Sequence, residues 1–167
     1  MTSSSLKRRL ARLGLGLVFV MFGGAPAAWA QEGTAAWRVE CTGDGKTLDC
    51  RAIQQMFNRD DKQLVLQLAA RGSSGPEKAP TLTLNLPLGI SLTEPVQLKV
   101  DNGLVERYQV QTCANAGCIV NVPLKESLLA DMRTGTLLKI SMQAPDKRAL
   151  NVDVPLLGFG LAYDKAK

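Results

Sequence analysis

The chain of 167 residues contains no histidine. That absence excludes Ser-His-Asp and Cys-His nucleophilic systems and any metal site that uses imidazole. Aromatic residues are scarce, at 5%, which leaves little for a sugar-stacking or base-stacking platform. No Cys-x-x-Cys pair occurs, so a dithiol redox motif is absent. The one long apolar stretch, Leu13 to Phe22, is interrupted by Gly14 and Gly16. It is shorter than the roughly 20 residues that span a bilayer. The length suits one domain, or at most two small ones.

The stretch that is present reads as an export signal. Lys7, Arg8, Arg9 and Arg12 precede the apolar run, and Gly23, Gly24 and Pro26 follow it. Ala28-Trp29-Ala30 supplies the small-x-small pattern of a cleavage site. Residues 1–30 are therefore expected to be a cleaved secretory signal, with 31–167 a single β-sandwich domain. Gln31, rather than Cys, follows the cleavage point, so a lipoprotein anchor has no attachment residue. After cleavage no transmembrane span is expected.

Removing the signal changes the charge. The whole chain carries 20 Lys+Arg and 15 Asp+Glu, a formal +5. Four of the basic residues and none of the acidic ones lie in residues 1–30, leaving 16 against 15. A net charge of +1, evenly dispersed, is no footprint for nucleic acid.

All four cysteines, Cys41, Cys50, Cys113 and Cys118, follow the signal. An even number in an exported chain reads as two disulfides. Three connectivities are possible. Local geometry favours Cys41 with Cys50 and Cys113 with Cys118, because each pair brackets a turn-rich segment. Four thiolates at these spacings do not match a zinc ribbon.

The dominant period is two. Leu64, Leu66 and Leu68; Leu82, Leu84 and Leu86; Val96, Leu98 and Val100; Leu138, Ile140 and Met142; and Leu150, Val152 and Val154 all alternate with other residues. Such patterns are half-buried strands. Asp101-Asn102-Gly103 reads as a type I′ hairpin turn. About nine strands are expected, arranged as an antiparallel two-sheet sandwich. Lys125 to Arg133 places Leu128, Leu129 and Met132 at helical spacing and meets Gly135, so one short helix near 125–133 is expected.

Candidate chemistry is thin. Gly45-Lys46-Thr47 lacks the earlier glycine of a phosphate loop, since Glu40 stands there. Asp60-Asp61 has no calcium-loop pattern around it and reads as a solvated turn. Trp37 reads as a core anchor of the first strand. No catalytic, cofactor-binding or metal-ligating residue emerges. Exposed contacts are expected at the loop from Arg71 to Pro80 and at the Cys113–Cys118 tip.

Several segments together resemble the invasion-associated locus B family of bacterial exported proteins. They are Trp37-Arg38-Val39-Glu40-Cys41 with Cys50; Leu86-Pro87-Leu88-Gly89-Ile90 leading to Val96-Gln97-Leu98-Lys99-Val100-Asp101; Cys113 with Gly117-Cys118; and Leu157-Gly158-Phe159 with Ala162. The resemblance implies an immunoglobulin-like β-sandwich in the envelope or at the surface of a Gram-negative bacterium, periplasmic or secreted. It brings no catalytic residues. The expected function is a non-enzymatic binding or accessory module, in possible connection with a host. Its partner would be a protein or other envelope component, and it would need no cofactor. The alternative is a small periplasmic hydrolase using acidic residues.

Overall fold

The computed structural model describes residues 37–43, 45–58, 60–73 and 79–167. The expected signal at 1–30 lies outside the described residues, as does 74–78 of the loop between Arg71 and Pro80. Ten strands are present among the described residues. They are β1 (Arg38–Gly43), β2 (Leu48–Phe57), β3 (Leu64–Arg71), β4 (Thr81–Leu86), β5 (Val96–Val100), β6 (Glu106–Tyr108), β7 (Thr112–Ala114), β8 (Gly117–Pro123), β9 (Leu137–Gln143) and β10 (Ala149–Pro155). Two helices accompany them, α1 (Glu126–Thr134) and α2 (Phe159–Lys165).

The strands form two antiparallel sheets, as the period-two pattern requires. Six pair in the order β1-β2-β3-β4-β8-β7, and four in the order β10-β9-β5-β6. The alternating apolar residues meet between them. Leu66, Leu68, Leu82, Leu84, Val120 and Val122 of the larger sheet are fully buried, as are Leu138, Ile140 and Val154 of the smaller. The fold is an all-β sandwich.

Leu64 departs from its expected place. The register steps from Met56 opposite Leu66 to Phe57 opposite Leu64, which leaves Val65 as one extra residue. A bulge of one residue reverses which side chains face inward. Leu64 is therefore exposed beside exposed Phe57.

The Asp101 turn also differs from expectation. The β5–β6 hairpin forms, but Asp101 alone of the turn's central pair has positive φ, at 46°. A type I′ turn needs two such residues. The Asp101 carboxylate instead accepts the backbone N–H groups of Thr136 at 2.9 Å and Leu137 at 3.0 Å. These bonds tie the turn to the start of β9. They also hold the carboxyl below its usual pKa range.

Helix α1 lies where Leu128, Leu129 and Met132 place it, with Leu128 and Met132 buried. Its C-cap is Gly135, as expected, yet Gly135 has extended backbone at φ −76°. The need for glycine is one of space. A Cβ there would sit 2.4 Å from Val100 Cγ1 and 2.7 Å from the Asp131 carbonyl oxygen.

Helix α2 is additional to the one helix expected. Its buried residues Phe159, Ala162 and Tyr163, followed by Ala166, recur at helical spacing. Gly158 opens it at φ 85°. Phe159 packs edge-on against Trp37, with ring centroids 4.9 Å apart, and stacks on Tyr163. Trp37 is buried, and its ring N–H donates to the Pro155 carbonyl at 3.0 Å. It is the core anchor that the sequence suggests. Arg133 of α1 grips Asp164 of α2 with two hydrogen bonds, at 2.9 and 2.6 Å. Arg133 first, then Lys167, holds the Asp164 carboxyl far below its usual range.

Candidate functional site

The six-stranded sheet carries both disulfides found among the described residues. Cys41 bonds to Cys50 and Cys113 bonds to Cys118. Each bond joins directly opposite residues of a hairpin, β1 with β2 and β7 with β8. In the strand order these hairpins are the two edges of the same sheet. Edge strands expose unpaired backbone groups, and the bridges hold these two to their neighbours.

The outer face of that sheet is polar and internally bonded. Arg38 donates to Gln55 at 2.7 Å, and Gln55 donates to Gln67 at 2.8 Å. Farther along, Thr83 donates to Asn121 at 2.8 Å and Asn121 donates to Gln111 at 2.6 Å. The register explains these chains. Ile53, Ala69, Thr83 and Asn121 lie side by side on β2, β3, β4 and β8, and Gln55, Gln67 and Asn85 form the next row. Cross-strand neighbours on one face interact directly, so Thr83 orders Asn121 within one row and Gln55 orders Gln67 within the next.

Ala69 is the small residue of the first row, between Ile53 and Thr83. Over it lies a cavity of about 290 Å³, lined by Arg51, Ala69, Arg71, Thr81, Thr83 and Asn121. Its lining among the described residues contains no carboxylate. A hydrolase built on acidic residues needs convergent carboxylates with raised or split pKa values. Asp101 and Asp164 have displaced pKa values, but both are lowered and both are accounted for by structural hydrogen bonds. Burial, then a hydrogen bond to Glu106, pushes the Tyr108 hydroxyl well above its usual range. Burial is also the main cause of the rise at Tyr163. Neither phenol faces the cavity over Ala69.

The other positions singled out in the sequence are turns. Gly45-Lys46-Thr47 lies in the β1–β2 connection between the bridged cysteines. Asp60 and Asp61 are exposed, and the Asp61 carboxylate accepts the Gln63 N–H at 3.0 Å. No group of three or more potential metal ligands occurs among the described residues. At the Cys113–Cys118 tip, Ala114, Asn115 and Ala116 are exposed. The Ala116 carbonyl accepts from Asn85 at 3.2 Å, which fastens the tip to β4. Of the loop from Arg71 to Pro80, Arg71 enters the cavity wall. The remaining wall residues went unremarked in the sequence. Their period-two signal marks one polar face, but not which residues of separate strands share a row.

Residues 37–167, the whole sandwich, match the family described as Invasion associated locus B (IalB) protein. The chain belongs to the IalB family. It is 32% identical to Invasion protein B of Bartonella bacilliformis over 134 residues, covering 77% of this chain and 70% of that protein. It is 26% identical to an Invasion protein B homolog of Brucella abortus over 140 residues, covering 83% and 80%. The crystal structure of invasion associated protein B from Bartonella henselae superposes with a TM-score of 0.70 at 28% identity, covering 81% of this chain and 92% of that one. IalB membership names an invasion-associated protein rather than an enzyme family. The two disulfides fit an exported protein. Among the described residues no helix is long and apolar enough to cross a membrane.

Proposed function

We propose that this IalB-family protein is an exported, non-enzymatic binding or accessory module of the bacterial envelope, acting in the periplasm or at the cell surface. In this reading residues 1–30 are a signal cleaved before Gln31, and 31–167 is the working domain. The observation that carries the binding role is the outer face of the six-stranded sheet. Its side chains are held in place by one another before any partner arrives, through Arg38, Gln55 and Gln67 and through Thr83, Asn121 and Gln111. Ordering side chains beforehand reduces the entropy lost on binding. The disulfide-closed hairpins at both edges keep the face in one shape. The relatives' names link the family to invasion, so contact with a host component belongs within this reading rather than beside it.

The test is crosslinking in intact cells followed by affinity capture, with fractionation into periplasm, outer membrane and medium. The expected result is a reproducible partner in one envelope fraction and a protein whose N-terminus is Gln31. Recovery from the cytoplasm with residues 1–30 attached would overturn the reading.

A further inference from the structure

We infer that the cavity over Ala69 is a binding site for a small oxyanion, a carboxylate or phosphate group, with Arg71 as its principal anchor. This deepens the binding role proposed for the same face and rests on it. The walls supply donors from four strands: Arg51 of β2, Arg71 of β3, Thr81 and Thr83 of β4 and Asn121 of β8. Several of these groups are already committed. One Arg51 nitrogen donates to Asp49 at 2.7 Å. Glu40, the cross-strand neighbour of Arg51, is held by Arg38 at 2.7 Å. The Thr81 hydroxyl donates to the Ala79 carbonyl at 3.0 Å, and Thr83 donates to Asn121.

Arg71 is different. It is half-buried, and its Nε is fully covered yet has no hydrogen-bond partner. It forms none of the salt bridges found among the described residues. The covered Nε does not itself reach a ligand, so an anion would be met by the terminal N–H groups of the same guanidinium, which form no salt bridge among the described residues. The guanidinium fork matches the two oxygens of a carboxylate or phosphate. Asn121 adds a second amide N–H, since only one is used on Gln111. The volume of about 290 Å³ is at the low end for small-ligand pockets, so the site suits a compact acid. Across the strand pair, Arg71 faces Thr81, whose side chain closes that wall.

The experiment is a titration of the purified full-chain protein at low salt with inorganic phosphate, with glucuronate and with neutral glucose. Calorimetry reads the affinity, and amide NMR shifts read the place. The expected result is binding of phosphate or glucuronate, weakened by salt, with shifts centred on Ala69, Arg71 and Thr83. Preference for phosphate assigns phosphate esters, and preference for glucuronate assigns sugar acids. Arg71→Gln should weaken binding about tenfold or more, whereas Arg71→Lys, which keeps the charge and most of the packing, should retain part of it. Lys139→Gln on the other sheet should leave affinity unchanged. The proposal is overturned if neither anion binds, if glucose binds as well as either, or if folded Arg71→Gln binds like the parent. A protein that captures its partner yet takes no anion overturns this site while leaving the broader binding role standing.

Discussion

The two sheets of this sandwich share one core and differ in almost everything else. The six-stranded sheet has a disulfide at each edge and a bonded polar outer face. The four-stranded sheet has edges β10 and β6, neither of which carries a cysteine. Its outer face sets Lys99 directly opposite Lys139, with Asp153 beyond; in the next row, beside Gln97, Ser141 donates to Asn151 at 2.6 Å, a single bond where the larger sheet has chains of them. Like charges in opposite positions repel and favour a solvated, spread arrangement. In the proposed reading the smaller sheet closes the core and the larger one holds the binding surface still.

The largest expected effect falls on an edge of the larger sheet. Gly117 has φ 127°, and a Cβ there would lie 2.2 Å from Asn85 Oδ1 and 2.5 Å from the Leu86 carbonyl oxygen. Gly117→Ala should cost about 3 kcal/mol or more in urea denaturation, combining backbone strain and overlap. Removing Cys113 and Cys118 together as alanines should cost about 3 kcal/mol. Removing Cys41 and Cys50 together should cost about 2 kcal/mol. That order opposes ring size, because the sequence separations are 5 and 9 and the longer ring constrains the unfolded chain slightly more. It follows from the better-buried member of each pair, since Cys41 and Cys113 are both exposed: Cys118 is 2% exposed and part of the core, whereas Cys50 is only half-buried against it. Hydrogen exchange should quicken most at the affected hairpin, with β5 and β9 quickening only by the amount that the fall in global stability requires. Acceleration in β5 and β9 equal to that at the hairpin would break the separation of the sheets.

A smaller effect is expected at the β1–β2 turn. Gly45 has φ 84° and open space around it, so Gly45→Ala should cost about 1 kcal/mol from backbone strain alone. The smallest effect concerns the four-stranded sheet, which uses a carboxylate where the other uses sulfur. Hydrogen bonds from Thr136 and Leu137 lower the Asp101 pKa from its usual 3.8. A lowered folded pKa gives a contribution that is complete above the unfolded value and lost as pH falls through the folded one. Thermal melts from pH 6 to 2 should show that loss below pH 3.8, and Asp101→Asn should lack that part of the acid response. Equal acid responses in the two proteins would remove the tie.

The period-two runs made the sheets legible from residues alone, because a half-buried strand must alternate. Leu64 escaped that logic, since a one-residue bulge at Val65 reverses the alternation without leaving a mark in the apolar pattern. Helix α2 escaped because seven residues hold too few turns to assert a period, although Phe159, Ala162, Tyr163 and Ala166 carry one. The Asp101 turn was legible as a turn but not as a type, because its geometry depends on Thr136 and Leu137, far away in the chain. The candidate site was the least legible part. Arg51, Arg71, Thr83 and Asn121 become neighbours only through pairing of four strands, and Gln111 only through a fifth contact.

In the proposed reading the larger sheet's outer face, rather than the smaller sheet's, meets a partner. A photo-crosslinking residue placed at Thr83 and, separately, at Ser141 tests it in intact cells. Both positions lie on outer faces, one on each sheet. A discrete adduct from position 83 and none from position 141 is expected. An adduct from position 141 alone, or none from either, would contradict it.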